Sequence, residues 1–135
     1  MEIKLVNFQQ HGDERGHLVA VEEGKEIPFS IKRVYYIYDT AKNVRRGYHA
    51  HKSLHQVLFC VNGACTIHLD NGEECAEVRL DKPYEGLYID NLTWREMYDF
   101  SDGAVLMVLA SDLYNEDDYI RNYQEFIDYV REVRK

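Results

Sequence analysis

Apolar and β-branched residues in this chain recur at every second position, in short runs closed by turn residues. A period of two excludes a helical fold for most of the length and predicts strands. Val34–Tyr38 is β-branched and aromatic throughout. Gln56–Val61 follows, closed by Asn62-Gly63, a strong hairpin turn, and Cys65–Leu69 is the return strand, closed in turn by Asp70-Asn71-Gly72. Glu77–Leu80 alternates again, and Gly86–Ile89 and Ala104–Ala110 complete the series. The last run is almost wholly apolar, which predicts a central, buried strand. Short strands with tight turns between them predict a sandwich or barrel. Ile3–Phe8 alternates as well and suits an edge strand.

Only the C-terminus changes character. Asn115 is a capping residue, and Glu116, Asp117 and Asp118 favour a helix start through the macrodipole. Tyr119, Tyr123, Phe126 and Val130 recur at helical spacing, and Arg131, Arg134 and Lys135 suit a helix end. The reading is therefore an all-β domain over residues 1–135 with a helical segment from about 115 to 134. There is no linker, repeat or low-complexity stretch, and 135 residues fit a single domain.

Composition narrows the partners. A net charge of −8 argues against nonspecific nucleic-acid binding. A small anionic ligand stays compatible, because Lys32-Arg33, Arg45-Arg46 and Lys52 cluster. No window approaches the roughly 18 apolar residues of a membrane helix. The N-terminus has neither the basic start nor the apolar run of a secretory signal, so a soluble, cytoplasmic protein is expected. Cys60, Cys65 and Cys75 are odd in number and lack a Cys-x-x-Cys spacing; buried, reduced thiols are expected for the first two.

The chemistry centres on Arg46-Gly47-Tyr48-His49-Ala50-His51. Two histidines two apart on a strand share a face, their roots roughly 7 Å apart. That spacing suits holding a metal or moving protons on adjacent atoms of a small molecule. Gly47, His-x-His and Gly63 resemble the first motif of the cupins, a double-stranded β-helix (jelly-roll) family. Metal-binding cupins add a glutamate a few residues on, where this chain reads Lys52-Ser53-Leu54-His55-Gln56. They also add a third histidine, and the matched position here is Arg95, whose guanidinium stays protonated and cannot ligate a cation. Only His55 remains as a substitute ligand, so no metal is expected. The imidazoles become acid–base candidates.

Asp13-Glu14-Arg15-Gly16 reads as an exposed turn on local chemistry. It also resembles the Asp-x-Arg-Gly of the nucleotide-sugar 3,5-epimerases, which continue with an Arg-Gly-x-His matched by Arg46-Gly47-Tyr48-His49. A closer resemblance, to the sugar 3,4-ketoisomerases, covers nearly the whole chain. It rests on Ile27–Tyr36, Gly47–Lys52, Asp99-Phe100-Ser101, Leu109-Ala110-Ser111-Asp112 and Asp118-Tyr119-Ile120-Arg121.

That resemblance implies a cupin-type jelly roll that shifts the ketone of a thymidine-diphosphate-linked 4-keto-6-deoxyglucose from C4 to C3, in deoxy- and amino-sugar biosynthesis. It implies no cofactor, and a homodimer with exchanged strands. It makes His49 the base at carbon. His51 either moves protons between the oxygens or polarises the ketone, and Arg15 either stabilises the enediolate or binds phosphate. Arg33 and Arg46 are expected on the diphosphate, Tyr35 and Trp94 stacked on base or sugar, and Arg95 near the substrate. The competing readings are a nucleotide-sugar epimerase, a non-catalytic nucleotide-sugar binder and a metal-dependent cupin dioxygenase.

Overall fold

The computed structural model describes residues 1–135. In chain order the strands are β1 Lys4–Asn7, β2 Gln10–Asp13, β3 Gly16–Val19, β4 Arg33–Ile37, β5 Arg46–His51, β6 Gln56–Asn62, β7 Cys65–Asp70, β8 Cys75–Leu80, β9 Glu85–Ile89, β10 Trp94–Tyr98, β11 Val105–Ala110 and β12 Tyr119–Ile120. Helix α1, Tyr123–Val133, follows. One five-stranded sheet runs β1-β9-β6-β11-β4 and a second runs β12-β5-β10-β7-β8. All ladders between these strands are antiparallel. β2 and β3 pair only with each other. No helix is long and apolar enough to cross a membrane.

Alternation along the strands sorts side chains between the two sheets and the outside. Leu58, Cys60, Leu87, Ile89, Leu106 and Val108 of the first sheet meet Cys65, Ile67, Leu69, Leu80 and Met97 of the second in one buried cluster. Cys60 and Cys65 are fully buried free thiols with their Sγ atoms 3.6 Å apart. The intervening residues point the other way. Val57, Phe59 and Leu109 are covered on the outer face of the first sheet by Phe8 and Ile27. On the outer face of the second sheet, Ala50 and Trp94 lie under Phe126 and Val130 of α1.

The C-terminal segment differs from the expected continuous helix. Asn115 does cap, but only a single 3-10 turn, Glu116–Asp118. Tyr119 and Ile120 then run extended, paired with His51 and Ala50 as β12. The helix begins afterwards, under a second cap in which Asn122 accepts from the Glu125 N–H. A free sheet edge on β5 outcompetes the helical spacing of Tyr119.

Candidate active site

The inward face of the barrel changes character towards one end. Along β4, β5, β6 and β10 the same parity that buries Leu58 and Met97 also turns Arg33, Tyr35, His49, His51, Gln56 and Arg95 inward. His51, Gln56 and Arg95 are at most 1% exposed. The His49 and His51 rings stand edge to face with centroids 5.0 Å apart, and Tyr119 packs against both, at 5.1 and 4.4 Å.

β5 reaches this geometry through a bulge. Arg95 pairs with His49 and Glu96 with Gly47, so Tyr48 is the extra residue. Gly47 (φ 93°) and Tyr48 (φ 56°) are both left-handed. A Cβ on Gly47 would lie 2.9 Å from the Arg95 carbonyl, so glycine is required there.

Each imidazole is tied at Nδ1. His49 Nδ1 donates to the Gly47 carbonyl at 3.1 Å, and His51 Nδ1 donates to Asp118 Oδ2 at 3.0 Å. Asp118 is itself fixed by the Ser53 N–H at 2.8 Å. A neutral imidazole holding its proton on Nδ1 carries its lone pair on Nε2. The Nε2 of His51 is buried with no partner in the protein.

Both rings are held neutral. Burial, then the Arg95 charge, lowers His49 to about 4. Burial, then Arg95, His49, Arg33 and Arg121, lowers His51 to about 2. The carboxylate of Asp118 at 3.0 Å favours the opposite outcome. It is outweighed by desolvation and the guanidinium charges, so the contact is a neutral N–H donating to a carboxylate.

Arg95 carries a buried charge with no carboxylate in ion-pair range. Its Nη1 donates to Gln56 Oε1, and its Nε and Nη2 donate to the Thr93 carbonyl at 3.2 and 3.1 Å. Gln56 Nε2 in turn donates to the Tyr35 hydroxyl at 3.0 Å. Burial lowers Arg95 to about 10, so it remains a cation at neutral pH. An unpaired buried charge costs several kcal/mol, which makes its surroundings a candidate site. Arg33 adds two buried, unpartnered donors, Nε and Nη2, between the rings of Tyr35 and Tyr114. The surroundings of the two imidazoles are thus cationic and hold open donors on Arg33, although the chain as a whole is acidic.

These residues do not fit a metal. Arg95 faces His49 across the ladder. His55 turns away to the Tyr88 hydroxyl (2.8 Å) and Asp90 (3.6 Å). Asp118, the carboxylate beside the pair, is engaged by the protonated nitrogen of His51. A cation would meet two imidazoles and a fixed positive charge.

The other expected site residues fall elsewhere. Trp94 is 3% exposed and packs against Tyr123 and Phe126, its Nε1 donating to Glu96. It neighbours Arg95 on a strand, so the two cannot face the same side, and the stacking role expected of it is corrected to core packing under α1. Arg46, opposite Met97 at the start of β5, is exposed. Arg15 sits at the β2–β3 turn, held by Asp13 at 2.7 Å. Four residues were missed. Gln56 was signalled by being polar on the same face as Leu58 and Cys60. Asp118, Tyr119 and Arg121 were assigned to a helix. Arg121 lies over the Tyr119 ring at 4.2 Å and is held by Glu116.

Two neutral imidazoles beside a buried guanidinium, on the inner wall of a jelly roll, place the chain among the cupin-type isomerases. Residues 1–131 match the model of the family described as FdtA: WxcM-like, C-terminal. The chain belongs to that family, the sugar 3,4-ketoisomerases. It is 55% identical over 133 residues to the TDP-4-oxo-6-deoxy-alpha-D-glucose-3,4-oxoisomerase of Aneurinibacillus thermoaerophilus, covering 98% of this chain and 96% of the relative. A mutant of the 3,4-ketoisomerase QdtA from Thermoanaerobacterium thermosaccharolyticum, solved with TDP-4-keto-6-deoxyglucose, superimposes with a TM-score of 0.94. That match has 49% identity and covers 96% of this chain and 94% of that one. A 3'-monoepimerase from Streptomyces bikiniensis, ChmJ, is 17% identical and shares the fold alone, at a TM-score of 0.77 over 88% of this chain and 68% of that one.

Proposed function

We propose that this chain moves the ketone of TDP-4-keto-6-deoxy-D-glucose from C4 to C3 by proton transfer alone. The observation that carries the reading is a pair of neutral imidazoles with tied Nδ1 atoms beside an uncompensated buried cation. The C3 hydrogen is acidified by the neighbouring C4 carbonyl. His49 Nε2 takes it, leaving an enediolate across C3 and C4. His51 takes the proton of O3 on its bare Nε2, and O4 gains one. A proton returned to C4 then leaves a ketone at C3. One carbon is oxidised and its neighbour reduced within one molecule, so no external hydride carrier is required. Arg95 supplies a fixed positive charge beside the developing enediolate, where preorganised electrostatics act most strongly.

The diphosphate suits the open donors of Arg33, with Arg121 and Arg46 nearer solvent. The charge of that diphosphate also raises the His49 pKa towards neutrality when substrate binds, which improves it as a base. Tyr35, tied to Arg95 through Gln56, borders the same space. The substrate is a charged nucleotide sugar that does not cross membranes unaided, which favours a cytoplasmic enzyme.

The active unit is a homodimer in this reading. β4 is an open sheet edge, and its outward residues Val34 and Tyr36, with Tyr38 just beyond it, are 53–59% exposed. The self-paired β2–β3 hairpin is equally unpartnered, and a second copy covers both. Arg15 then serves the neighbouring site.

The test is incubation with TDP-4-keto-6-deoxyglucose in deuterated water, with the product identified by proton NMR. A 3-keto product carrying deuterium at C4 supports the reading. An unmoved ketone with an inverted centre points to an epimerase, and unchanged sugar to a binding protein.

A further inference from the structure

The outer face of the second sheet holds a second cluster with its own chemistry. His68 and Asp70 on β7 and Cys75 on β8 share that face, since Asp70 pairs with Cys75 and His68 with Glu77. A ring nitrogen of His68, a carboxylate oxygen of Asp70 and the Cys75 thiol all lie within 4.8 Å of one another. We infer that these three side chains form a binding site for a zinc-type divalent cation, separate from the catalytic pocket.

Three observations carry the inference. The first is the donor set. Imidazole, thiolate and carboxylate together select zinc and its neighbours over magnesium or calcium. Ligand atoms about 2.0–2.3 Å from a tetrahedral ion sit roughly 3.3–3.8 Å apart, so side-chain rotations of about 1 Å close the set. The second is its support. His68 Nδ1 donates to Glu77 Oε1 at 2.5 Å, and Glu77 Oε2 is held by the Tyr98 hydroxyl at 2.7 Å. This is the carboxylate–histidine pairing that orients a ligating ring and leaves its Nε2 lone pair for the metal. The third is Asp70. It is 5% exposed and has no lysine or arginine partner. The Gly72 N–H (2.7 Å) and the Tyr123 hydroxyl (2.6 Å) donate to it, and no cationic side chain neutralises its charge. A buried carboxylate without a cation is costly, and a bound ion removes that cost.

Cys75 is exposed, so the fourth coordination position opens to water. The site lies on the far side of the sheet from His49 and His51, because Leu69 and Arg95 point inward where His68, Asp70 and Glu96 point out. A bound ion would clamp edge strand β8 to β7 and, through Tyr123, to α1.

The test is titration of the chelator-treated full-length protein with Co2+ in a thiol-free reductant. The expected result is one equivalent bound, with tetrahedral d–d bands in the visible and a thiolate-to-cobalt charge-transfer band, all displaced by Zn2+. Cys75→Ser removes the charge-transfer band, His68→Gln weakens binding, and Glu77→Gln weakens it about 10–100-fold. The His49→Asn/His51→Asn double variant keeps the full spectrum. Cys75→Ser keeps its basal turnover, and circular dichroism reports that it is folded. The inference is overturned if no charge-transfer band forms. It is equally overturned if the band survives Cys75→Ser, or if it disappears when the catalytic histidines are replaced.

Discussion

Arg95 is sealed inside the barrel at 1% exposure, fixed by Gln56 and the Thr93 carbonyl, while the Arg15 side chain at the β2–β3 turn is 86% exposed and held only by Asp13. The two arginines carry the same charge into opposite settings. On the inner wall, burial does the chemical work. It neutralises the imidazoles, strengthens the field of the guanidinium and fixes the donors of Arg95 on Gln56 and the Thr93 carbonyl. On the hairpin, water screens the charge and nothing in the same chain orients it. Preorganisation thus belongs to the two sheets, and the hairpin's charge is left unordered by the rest of the chain.

The sharpest way to break this contrast is His49→Asn. It removes the proposed general base, so turnover should fall by about 10²–10⁴-fold and deuterium should no longer enter the sugar, while nucleotide binding survives in calorimetry. Wild-type wash-in by this variant would remove His49 from the carbon step.

Trp94→Ala comes next and tests which face of β10 does chemistry. A buried indole under α1 costs about 3–5 kcal/mol of stability when truncated. Denaturant melts should show that loss, and KM at a temperature where the variant is folded should stay near wild type. A KM raised as much as that of Arg33→Ala would return Trp94 to the pocket.

Acidification probes the buried wall as a whole. The folded pKa of His49, about 4, lies below its ordinary 6.5. Between those values the unfolded chain binds more protons, so stability is complete above about pH 6.5 and declines as pH falls towards 4. The drop is worth on the order of 3 kcal/mol at 1.36 kcal/mol per tenfold change in proton affinity. Meanwhile kcat/KM, which reports the free enzyme, should hold down to nearly pH 4. The acid limb of kcat should sit higher, because bound diphosphate raises the imidazole. Coincident limbs would show that substrate charge does not reach His49.

The hairpin should give the smallest stability effect. Arg15→Ala is expected to shift stability by no more than about 0.5 kcal/mol. Its effect on turnover should be recoverable by mixing. Dimers assembled from Arg15→Ala and His49→Asn chains regain one intact site if Arg15 acts on the neighbour, and none if it acts within its own chain.

The strands were legible because their determinants are local. Asn62-Gly63 turns the β6–β7 hairpin, with Gly63 at φ 69°, and alternation fixes each face. The shared inward face of His49, His51, Arg33 and Tyr35 was legible for the same reason. Trp94 was misplaced although parity decides it, since residues 94 and 95 cannot both point inward. The start of the helix was hidden because Asn115 and Asn122 both cap. Only the pairing of Tyr119 with His51, a contact across 68 positions, distinguishes them. Asp118, 67 positions from His51, was hidden for the same reason.

That separation makes one side chain answer to a distant stretch of backbone: the carboxylate that fixes the His51 tautomer lies 67 positions further along the chain. Unpairing β12 from β5 would release Asp118 and leave the His51 ring without its anchor, although β10 still holds the other edge of β5.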